Sequence, residues 1–278
     1  MIPAEPSAEA LRPDPLPLRG RTALVTGVSR QVGIGYAIAR RLAAAGASLF
    51  LQHYAPHDRD QPWGADPGGA AAIVAGVAAV LAGDAAIVRH TECDLADPDA
   101  PAWLVDEAVD GLGHLDILVC NHARSGADGA LGDLDAAMLD GHWAVNTRAS
   151  ILLAQAFAAR HDGRPGGRIV FMTSGQDLGP MRGEVAYAAS KGALASITAT
   201  LADQLADRGI TVNTVNPGPV DTGYADPDAH EAVRRHFPQG RWGIPDDPAR
   251  LIRWLATDDG GWITGQVINT EGGFRRWD

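Results

Sequence analysis

Apolar, strand-like runs alternate with longer helical runs along almost the whole chain, and this alternation constrains the fold more than any other sequence feature. The strand-like runs are TALVTG, SLFLQHY, AAIVRHTE, HLDILVC, GRIVFMTS, ITVNTVNP and GQVINT. Helical patterns predict helices over residues 35–45, 70–82, 98–112, 134–160, 184–207 and 246–256. Strands separated by helices form a parallel sheet with helices on both faces. The sequence therefore predicts an α/β fold, with one doubly wound domain over residues 20–278 and a parallel sheet of about seven strands.

The charge and hydropathy of the sequence limit the classes of partner that the chain can bind. The chain has 34 acidic and 23 basic side chains, which give a formal net charge of −11. A nucleic-acid or anionic-membrane partner requires a basic surface, so we expect neither. No apolar run approaches the ~20 residues that a membrane-spanning helix requires. We therefore expect a small-molecule partner.

The first 19 residues differ in composition from the rest of the chain. Five of the first 17 residues are prolines, and the stretch has no apolar segment typical of a secretory signal. We predict a flexible, proline-rich arm over residues 1–19. The two cysteines, Cys93 and Cys120, are too few for a disulfide framework. These observations indicate a cytoplasmic protein.

A glycine-rich stretch, TGVSRQVGIG, follows the first strand and opens onto a helix. Glycines let the backbone approach a pyrophosphate closely, and the N-terminus of the helix supplies amide donors and a positive dipole. The spacing is unusual, because five residues separate Gly27 from Gly33. An ordinary glycine-rich turn is the alternative interpretation. Ligands of such sheets bind at the carboxyl ends of the strands, where this loop lies.

Tyr187 and Lys191 lie four residues apart in a strongly helical stretch, so both side chains project from one face. Ser174 ends the strand GRIVFMTS, 13 residues before the tyrosine. An ammonium ~5 Å from a phenol, at an effective dielectric constant near 20, is worth roughly 3 kcal/mol, or about two pKa units. We therefore expect the pKa of Tyr187 to fall from about 10 towards about 8, which suits proton transfer. An exposed Tyr–Lys pair on a helix surface is the alternative.

Taken in order, these motifs resemble those of the short-chain dehydrogenase/reductase family. The matching stretches are TGVSRQVGIG, CDL at 93–95, CNHA at 120–123, VN at 145–146, Ser174, YAASK, NPGPVDT at 216–222 and ITGQVINTEGGF. The resemblance implies a Rossmann-type NAD(P)-dependent oxidoreductase that interconverts a carbonyl and an alcohol. It implies that Tyr187 is the general acid or base, and that Ser174 hydrogen-bonds the substrate oxygen. Lys191 would lower the tyrosine pKa and hold the nicotinamide ribose, while Asn146 would kink the long helix and pass protons through water.

The resemblance also implies a set of cofactor residues. In the glycine loop these are Gly27, Ser29, Arg30, Gly33, Ile34 and Gly35, and after the second strand His53. Asp94 and Leu95 would meet the adenine, and Asn121 and Ala123 the ribose. Pro217, Gly218 and Val220 would lie beside the nicotinamide, with Thr222 on its carboxamide or on the diphosphate. Tyr187 and Lys191 complete the set.

The choice between NAD(H) and NADP(H) depends on the residue that ends the second strand. A carboxylate there accepts a hydrogen bond from the ribose 2′-hydroxyl and repels a 2′-phosphate. This chain has His53 at that position and no carboxylate until Asp58. Arg30, with Ser29, is suited to pair with a 2′-phosphate. We therefore expect NADP(H), with NAD(H) as the alternative.

The chain departs from the family pattern in two places. The glycine loop is longer than in most members, and CNHA replaces the usual Asn-Asn-Ala-Gly. The second change introduces His122, to which we assign no role.

Two alternatives compete with carbonyl chemistry. Divergent enoyl-acyl-carrier-protein reductases have a glycine loop of this length, reduce a C=C bond, and place the tyrosine seven residues before the lysine. Seven residues before Lys191 is Glu184, which has no phenol. The second alternative is a nucleotide-binding regulatory protein without catalysis, but Ser174 and Tyr187 are both retained. The nearest resemblance is to 3-oxoacyl-acyl-carrier-protein reductases.

The segment over residues 223–243 is predicted to cover the substrate as a lid. Arg182, Arg234 and Arg235 would dock a carrier protein, or else form a solvated surface. The family commonly forms homotetramers, so we expect a homo-oligomer, either a tetramer or a dimer. We predict no metal site. The candidates to line the substrate pocket are Gln176, Met181, Glu184 and Tyr224.

Overall fold

A seven-stranded, fully parallel sheet forms the centre of the molecule, with strand order β3-β2-β1-β4-β5-β6-β7. A computed structural model of the chain describes residues 5, 7 and 11–277. The strands are β1 (Thr22–Val25), β2 (Ser48–His53), β3 (Val88–Glu92), β4 (Ile117–Cys120), β5 (Gly167–Met172), β6 (Ile210–Asn216) and β7 (Val267–Asn269). The predicted doubly wound α/β fold with seven parallel strands is confirmed.

Helices cover both faces of this sheet, as the alternation of patterns predicted. The helices are α1 (Ile34–Ala44), α2 (Ala55–Arg59), α3 (Gly69–Ala78), α4 (Ala100–Leu112), α5 (Ala136–His142), α6 (Ala149–Arg160), α7 (Val185–Ala206), α8 (Pro227–Arg234) and α9 (Asp246–Ala256). The single helix predicted over 134–160 is divided, because a π-helical segment, Trp143–Arg148, joins α5 to α6. The short helices α2 and α8 lie in segments that the sequence assigned to a loop and to the lid.

Alternate residues of the buried strands supply two separate apolar cores. In β1, Ala23 and Val25 pack into one core, whereas Leu24 packs into the other. The first core includes Ile38 and Leu42 of α1 and Ile252 and Leu255 of α9, and the second includes Leu104 of α4, Phe157 of α6 and Leu194 of α7. Burial on both faces explains why the strands are almost continuously apolar.

The folded domain begins before residue 20, where the arm was predicted to end. Leu18 is fully buried in the first core, and its N–H donates to the carbonyl of Ala45 at 2.9 Å. Within the predicted arm, residues 1–4, 6 and 8–10 lie outside the described residues. Within the described part of the chain, no helix combines the length and apolar character needed to cross a membrane.

The sheet positions the candidate site at one crevice. The chain continues from β1 to β2 on one side and reaches β4 on the other, so β1 and β4 are neighbours at the point where the strand order reverses. In open α/β sheets, ligands bind outside the carboxyl ends of the strands at this point. The glycine loop follows β1 there, and Asn121 follows β4.

Candidate active site

The glycine loop packs so closely against the end of β4 that two of its glycines have no room for a side chain. A Cβ on Gly27, whose φ is +71°, would lie 2.7 Å from the Cα of His122. A Cβ on Gly35 would lie 2.6 Å from both the Gly27 carbonyl oxygen and the Asn121 amide nitrogen. Asn121 donates to the carbonyls of Thr26 and Gly27, at 3.1 Å each. These contacts fix the loop across the crevice between β1 and β4.

The additional residues of the glycine loop are held by the segment that follows β2. The Gln31 N–H donates to Asp66 Oδ2 at 2.7 Å, and the Arg30 guanidinium lies 5.7 Å from the ring centroid of Trp63. Ser29 Oγ accepts from the Tyr54 N–H at 3.0 Å. We call residues 54–68 the strap. The long loop and the strap are therefore paired structures, which explains the spacing that looked irregular in the sequence.

A groove of about 420 Å³ runs between the glycine loop, the strap and the ends of β3 and β4. Ten of the predicted cofactor residues line it, and the strap adds Tyr54, His57, Asp58 and Asp60. Sequence reasoning missed the strap, whose only signal was the long polar interval between the second strand and the next helix. The ten predicted residues are Gly27, Ser29, Arg30, Gly33, Ile34, Asp94, Leu95, Asn121, Ala123 and Thr222.

His53 is not among the described residues that line this groove, although it was predicted to contact the cofactor. Its side chain is buried, with Nε2 3.1 Å from His90 Nδ1 and Nδ1 3.6 Å from Glu92 Oε2. Burial, and then the neighbouring His90, lower the pKa of His53. Because alternate residues of a strand face opposite sides, the next residue, Tyr54, turns towards the groove instead.

At the end of the groove beside β2 and β3, the residues predicted to meet the adenine are held in fixed positions. Asp94 Oδ1 accepts from the Ala96 N–H at 2.8 Å, and Leu95 is 3 % exposed. Burial, followed by the charge of Asp94 and a hydrogen bond to it, raises the pKa of the Tyr54 phenol. Tyr54 and Asp94 therefore bracket this end of the groove from two neighbouring strands.

His122 connects the ends of two strands and the π-helical segment. Its Nδ1 lies 2.7 Å from Thr26 Oγ1, and its Nε2 lies 3.0 Å from the carbonyl of Val145. Burial, and then the charge of Lys191, lower the pKa of His122 to about 3, so the ring is neutral. His122 therefore connects β1, β4 and the π-helical segment.

Helix α7 brings Tyr187 and Lys191 together at the end of β5. The Lys191 Nζ lies 5.8 Å from the centroid of the Tyr187 ring and donates to the Met172 carbonyl at 3.0 Å. Lys191 is 2 % exposed, which excludes the alternative of an exposed surface pair. Ser174, two residues beyond β5, forms a side-chain hydrogen bond with Tyr187. The structure therefore assembles all three residues.

The predicted lowering of the Tyr187 pKa is wrong for the described chain. Burial raises the pKa of the phenol, the charges of Glu184 and Tyr224 raise it further, and only the hydrogen bond with Ser174 lowers it. Burial also lowers the pKa of Lys191 to about 8. Removal from water opposes the charged form of each group and is the largest cause of both shifts.

Asn146 lies in the middle of the π-helical segment, so the predicted kink is present as a π-bulge. Its Oδ1 accepts from the Arg124 N–H at 2.7 Å, and its Nδ2 donates to the Arg124 carbonyl at 3.1 Å and to Ser190 Oγ at 2.9 Å. The amide thus joins the loop after β4 to helix α7. Its predicted proton relay to Lys191 stays a prediction.

The turn after β6 lies beneath the predicted lid. Gly218 has a φ of +66°, and a Cβ there would lie 2.8 Å from the Cα of Glu271. Val220 is buried and pairs with Gly243 at the far end of the lid, while Pro217 lines a small cavity of about 130 Å³. This turn therefore connects the base of the lid to the carboxyl-terminal residues.

Two of the four predicted substrate residues, Glu184 and Tyr224, lie near Tyr187. The charges of Glu184 and Tyr224 both act on the Tyr187 phenol, which places them near it. The Tyr224 ring lies edge-on to Trp242 at 6.0 Å within the lid. Gln176 donates to Thr173 and Asp177, and the Met181 carbonyl accepts from the Glu184 N–H.

Known proteins share both the sequence pattern and the fold. A family model described as "Enoyl-(Acyl carrier protein) reductase" matches residues 27–275. The uncharacterized oxidoreductase YjdA of Bacillus subtilis is 42 % identical over 92 % of this chain and 97 % of its own. A short-chain dehydrogenase from Burkholderia cenocepacia, solved with NADP, superposes with a TM-score of 0.79 at 38 % identity, covering 92 % and 98 %. A blue fluorescent protein from a metagenomic library, solved with NADPH, has a TM-score of 0.80 at 34 % identity, covering 92 % and 98 %.

Proposed function

The chain belongs to the short-chain dehydrogenase/reductase family of NAD(P)-dependent oxidoreductases, and from this premise we propose that it reduces a carbonyl to an alcohol with NADPH. The observation that carries the proposal is the assembly of Ser174, Tyr187 and Lys191 at the end of β5. A half-buried tyrosine and a buried lysine beside a serine hydroxyl are suited to proton transfer to a substrate oxygen.

The groove fits a dinucleotide. Glycines occupy the positions where a Cβ would collide with the loop's own backbone. Gly33, the residue before α1, offers no side-chain cap, and the first turn of α1 has no acidic residue. The N–H groups at the start of α1 are therefore open to a negatively charged diphosphate.

Bound NADPH supplies the hydride that reduces the carbonyl carbon. Tyr187 donates its phenolic proton to the carbonyl oxygen, and Ser174 stabilises the negative charge that develops there. The raised pKa of Tyr187 keeps the phenol protonated at neutral pH, which is the form that reduction requires. Lys191 holds the nicotinamide ribose, and its charge favours the phenolate left after proton transfer. Asn146 passes the replacement proton towards Lys191 through water.

Three observations support NADP(H) as the preferred cofactor. Ser29 Oγ and the Arg30 guanidinium both face the groove beside the end of β2. No described carboxylate forms an ion pair with Arg30, whose side chain rests on Trp63 instead. The Burkholderia and metagenomic proteins were solved with NADP and NADPH. Asp58 and Asp60 also line the groove and are the features that would favour NAD(H).

The printed description of the matching family model raises C=C reduction as the alternative. Such chemistry would need a phenol seven residues before the lysine, and that position is Glu184. Ser174 pairs with Tyr187, so the carbonyl interpretation is preferred. Within it, a 3-oxoacyl-thioester is the substrate class that we propose.

A carrier protein has weaker support than a free small molecule. Arg234 and Arg235 both pair with Glu231, at 2.6 and 3.1 Å, so one of their two positive charges is offset locally. We propose a homo-oligomer, because Val267 of the edge strand β7 is 40 % exposed and Trp262, in the segment before it, is 96 % exposed. Light scattering of the purified protein measures that state.

The proposed function is tested by following NADPH absorbance with a panel of ketones, β-ketoacyl thioesters, enoyl thioesters and quinones. We expect turnover with at least one carbonyl compound and none with the enoyl thioesters. Turnover of the enoyl thioesters alone would establish C=C reduction. Tight NADPH binding without turnover of any compound would favour a regulatory protein.

A further inference from the structure

The first turn of helix α7, which carries Tyr187, is capped by a residue from a distant loop. Glu184, the residue before the helix, makes no capping hydrogen bond with its side chain. Instead, the carboxylate of Asp128 accepts the Ala186 N–H at 3.0 Å and the Tyr187 N–H at 2.7 Å. These are the second and third residues of α7, whose N–H groups an N-cap side chain normally satisfies.

Asp128 is itself tightly held in the loop between β4 and α5. Its side chain is 5 % exposed, and its Oδ1 also accepts the Gly129 N–H at 2.8 Å. Among the described non-glycine residues, only Ala127, which precedes Asp128, has a positive φ, at +46°. A non-glycine residue keeps such a conformation where the surrounding contacts impose it, and residues of this kind cluster at functional sites.

Helix α5 closes the other side of Asp128 with a buried histidine. His142 Nε2 lies 4.0 Å from Asp128 Oδ2, and the His142 ring stands edge-on to the Tyr187 ring at 6.3 Å. His142 is fully buried, and its Nδ1 is bonded to the Met138 carbonyl at 2.9 Å. The carboxylate is therefore confined between α5 and α7, against the backbone of the catalytic tyrosine.

The distant cap leaves Glu184 available to the pocket. A capping side chain at that position would turn back onto the helix, whereas the charge of Glu184 acts on the phenols of Tyr187 and Tyr224. Burial raises the pKa of the Asp128 carboxyl, but the hydrogen bonds from Tyr187, Ala186 and Gly129 outweigh this and lower it overall. A stable negative charge thus faces the N-terminus of α7, where the helix dipole favours it.

We propose that Asp128 is a positioning residue for Tyr187. It fixes the first turn of α7 from outside the helix, so that the phenol is held against Ser174 while Glu184 faces the substrate. This inference rests on the proposed function, in which Tyr187 is the proton donor.

The test compares Asp128→Ala with Asp135→Ala, a matched loss of one aspartate cap. Asp135 caps α5 by accepting the Met138 N–H at 2.8 Å, and it does not line the groove. Thermal unfolding, NADPH affinity by fluorescence, and kcat and KM for the best carbonyl substrate of the panel are measured for each variant. We expect Asp128→Ala to lower kcat about 10- to 100-fold, because small misplacements of a reacting group cost this much. NADPH affinity should stay within about twofold, since Asp128 does not line the groove. Asp135→Ala should lower thermal stability by less, because exposed Asp135 accepts one N–H and Asp128 accepts three, and it should leave kcat unchanged.

Asp128→Asn keeps one acceptor oxygen and the same shape, so we expect an intermediate kcat. If Asp128→Ala does not fold, Asp128→Asn replaces it in the comparison with Asp135→Ala. A fall in kcat that is equal in the Asp128 and Asp135 variants, or an unchanged kcat in Asp128→Ala, would overturn the proposal.

A readout without substrate separates this inference from the proposed function. The chain has four tyrosines, so the ultraviolet signal of phenol ionisation can be assigned by subtracting a Tyr187→Phe spectrum. We expect Tyr187 to stay protonated at high pH in the native protein, and to ionise nearer its ordinary pKa of about 10 in Asp128→Ala. No turnover by the native protein, with this shift present, would refute the function and support the positioning role. An unchanged titration would refute the positioning role.

Discussion

The ammonium of Lys191 lies 5.8 Å from the centre of the Tyr187 ring and is hydrogen-bonded to the Met172 carbonyl. Burial lowers the pKa of the amine to about 8 and raises that of the phenol. At neutral pH both groups are therefore mainly protonated, which prepares Tyr187 to give up a proton. Burying the Lys191 ammonium lowers the free energy of unfolding, and we attribute its presence in the site to its function.

Lys191→Met should change the pH dependence of stability. The folded pKa of about 8 lies below the ordinary value of 10.5, so the unfolded state binds more protons between these values. Stability of the native protein should therefore rise from about pH 8 to about pH 10.5, by up to about 3 kcal/mol from this group. Lys191→Met lacks this contribution, so its stability relative to the native protein should be highest below pH 8 and decline above it. Thermal unfolding of both proteins from pH 7 to pH 10 measures the difference.

The same pKa can be measured directly, because Lys191 is the only lysine in the sequence. Protein labelled with ¹³C-lysine gives one side-chain resonance, whose titration should have a midpoint near pH 8. A midpoint near 10.5, together with a pH-independent stability difference, would show that the ammonium is not desolvated.

Tyr187→Phe should remove turnover and leave cofactor binding intact. Loss of a general acid costs about 10²- to 10⁴-fold in kcat. The phenol does not line the groove that fits the dinucleotide, so the NADPH affinity should change little. Turnover by absorbance and affinity by fluorescence are measured on the same preparation. Retained turnover would show that another group donates the proton.

Most of the fold was predictable because strand and helix patterns are local. The strands β1 and β5 are buried throughout and mostly apolar, and α7 has a long helical pattern, so their order determined the sheet. The π-helical segment around Asn146 was not predictable in form, since its bulge depends on contacts with Arg124 and Ser190.

The residues of the candidate site could be predicted where they belong to sequence motifs. Contacts that come from distant segments of the chain could not be predicted. Ser174, Tyr187 and Lys191 meet as the sequence indicated. The burial of His53 depends on His90 in the neighbouring strand, 37 residues away, and the cap on Tyr187 comes from Asp128, 59 residues away. Burial, which inverts the expected pKa of Tyr187, is likewise a property of the folded chain.

Gly35→Ala should weaken both stability and cofactor binding, although alanine is ordinarily the better helix residue by about 1 kcal/mol. The new Cβ would lie 2.6 Å from the Gly27 carbonyl and from the Asn121 amide, so the glycine loop must move. Overpacking of this kind costs roughly 1–3 kcal/mol. Gly132→Ala is the matched control, because nothing lies within 4 Å of its Cβ position. Thermal unfolding and NADPH titration are measured for both; equal behaviour would show that the loop adapts without cost.

Arg30→Ala should reduce the use of NADPH selectively. A charge-assisted hydrogen bond contributes about 1.5–3 kcal/mol, so kcat/KM for NADPH should fall roughly 10- to 100-fold, while that for NADH stays within about twofold.

Trp63 lies against the Arg30 guanidinium at 5.7 Å, and removal of its ring should loosen that side chain. Trp63→Ala is therefore expected to reduce NADPH use several-fold in the same direction, and Trp63→Phe, which keeps an aromatic face, to stay close to the native protein. Steady-state kinetics with both cofactors and one carbonyl substrate separate the outcomes. An equal loss with NADH and NADPH would place Arg30 on the diphosphate that both cofactors share, and a native protein that prefers NADH would assign the decisive contact to Asp58 or Asp60 of the strap.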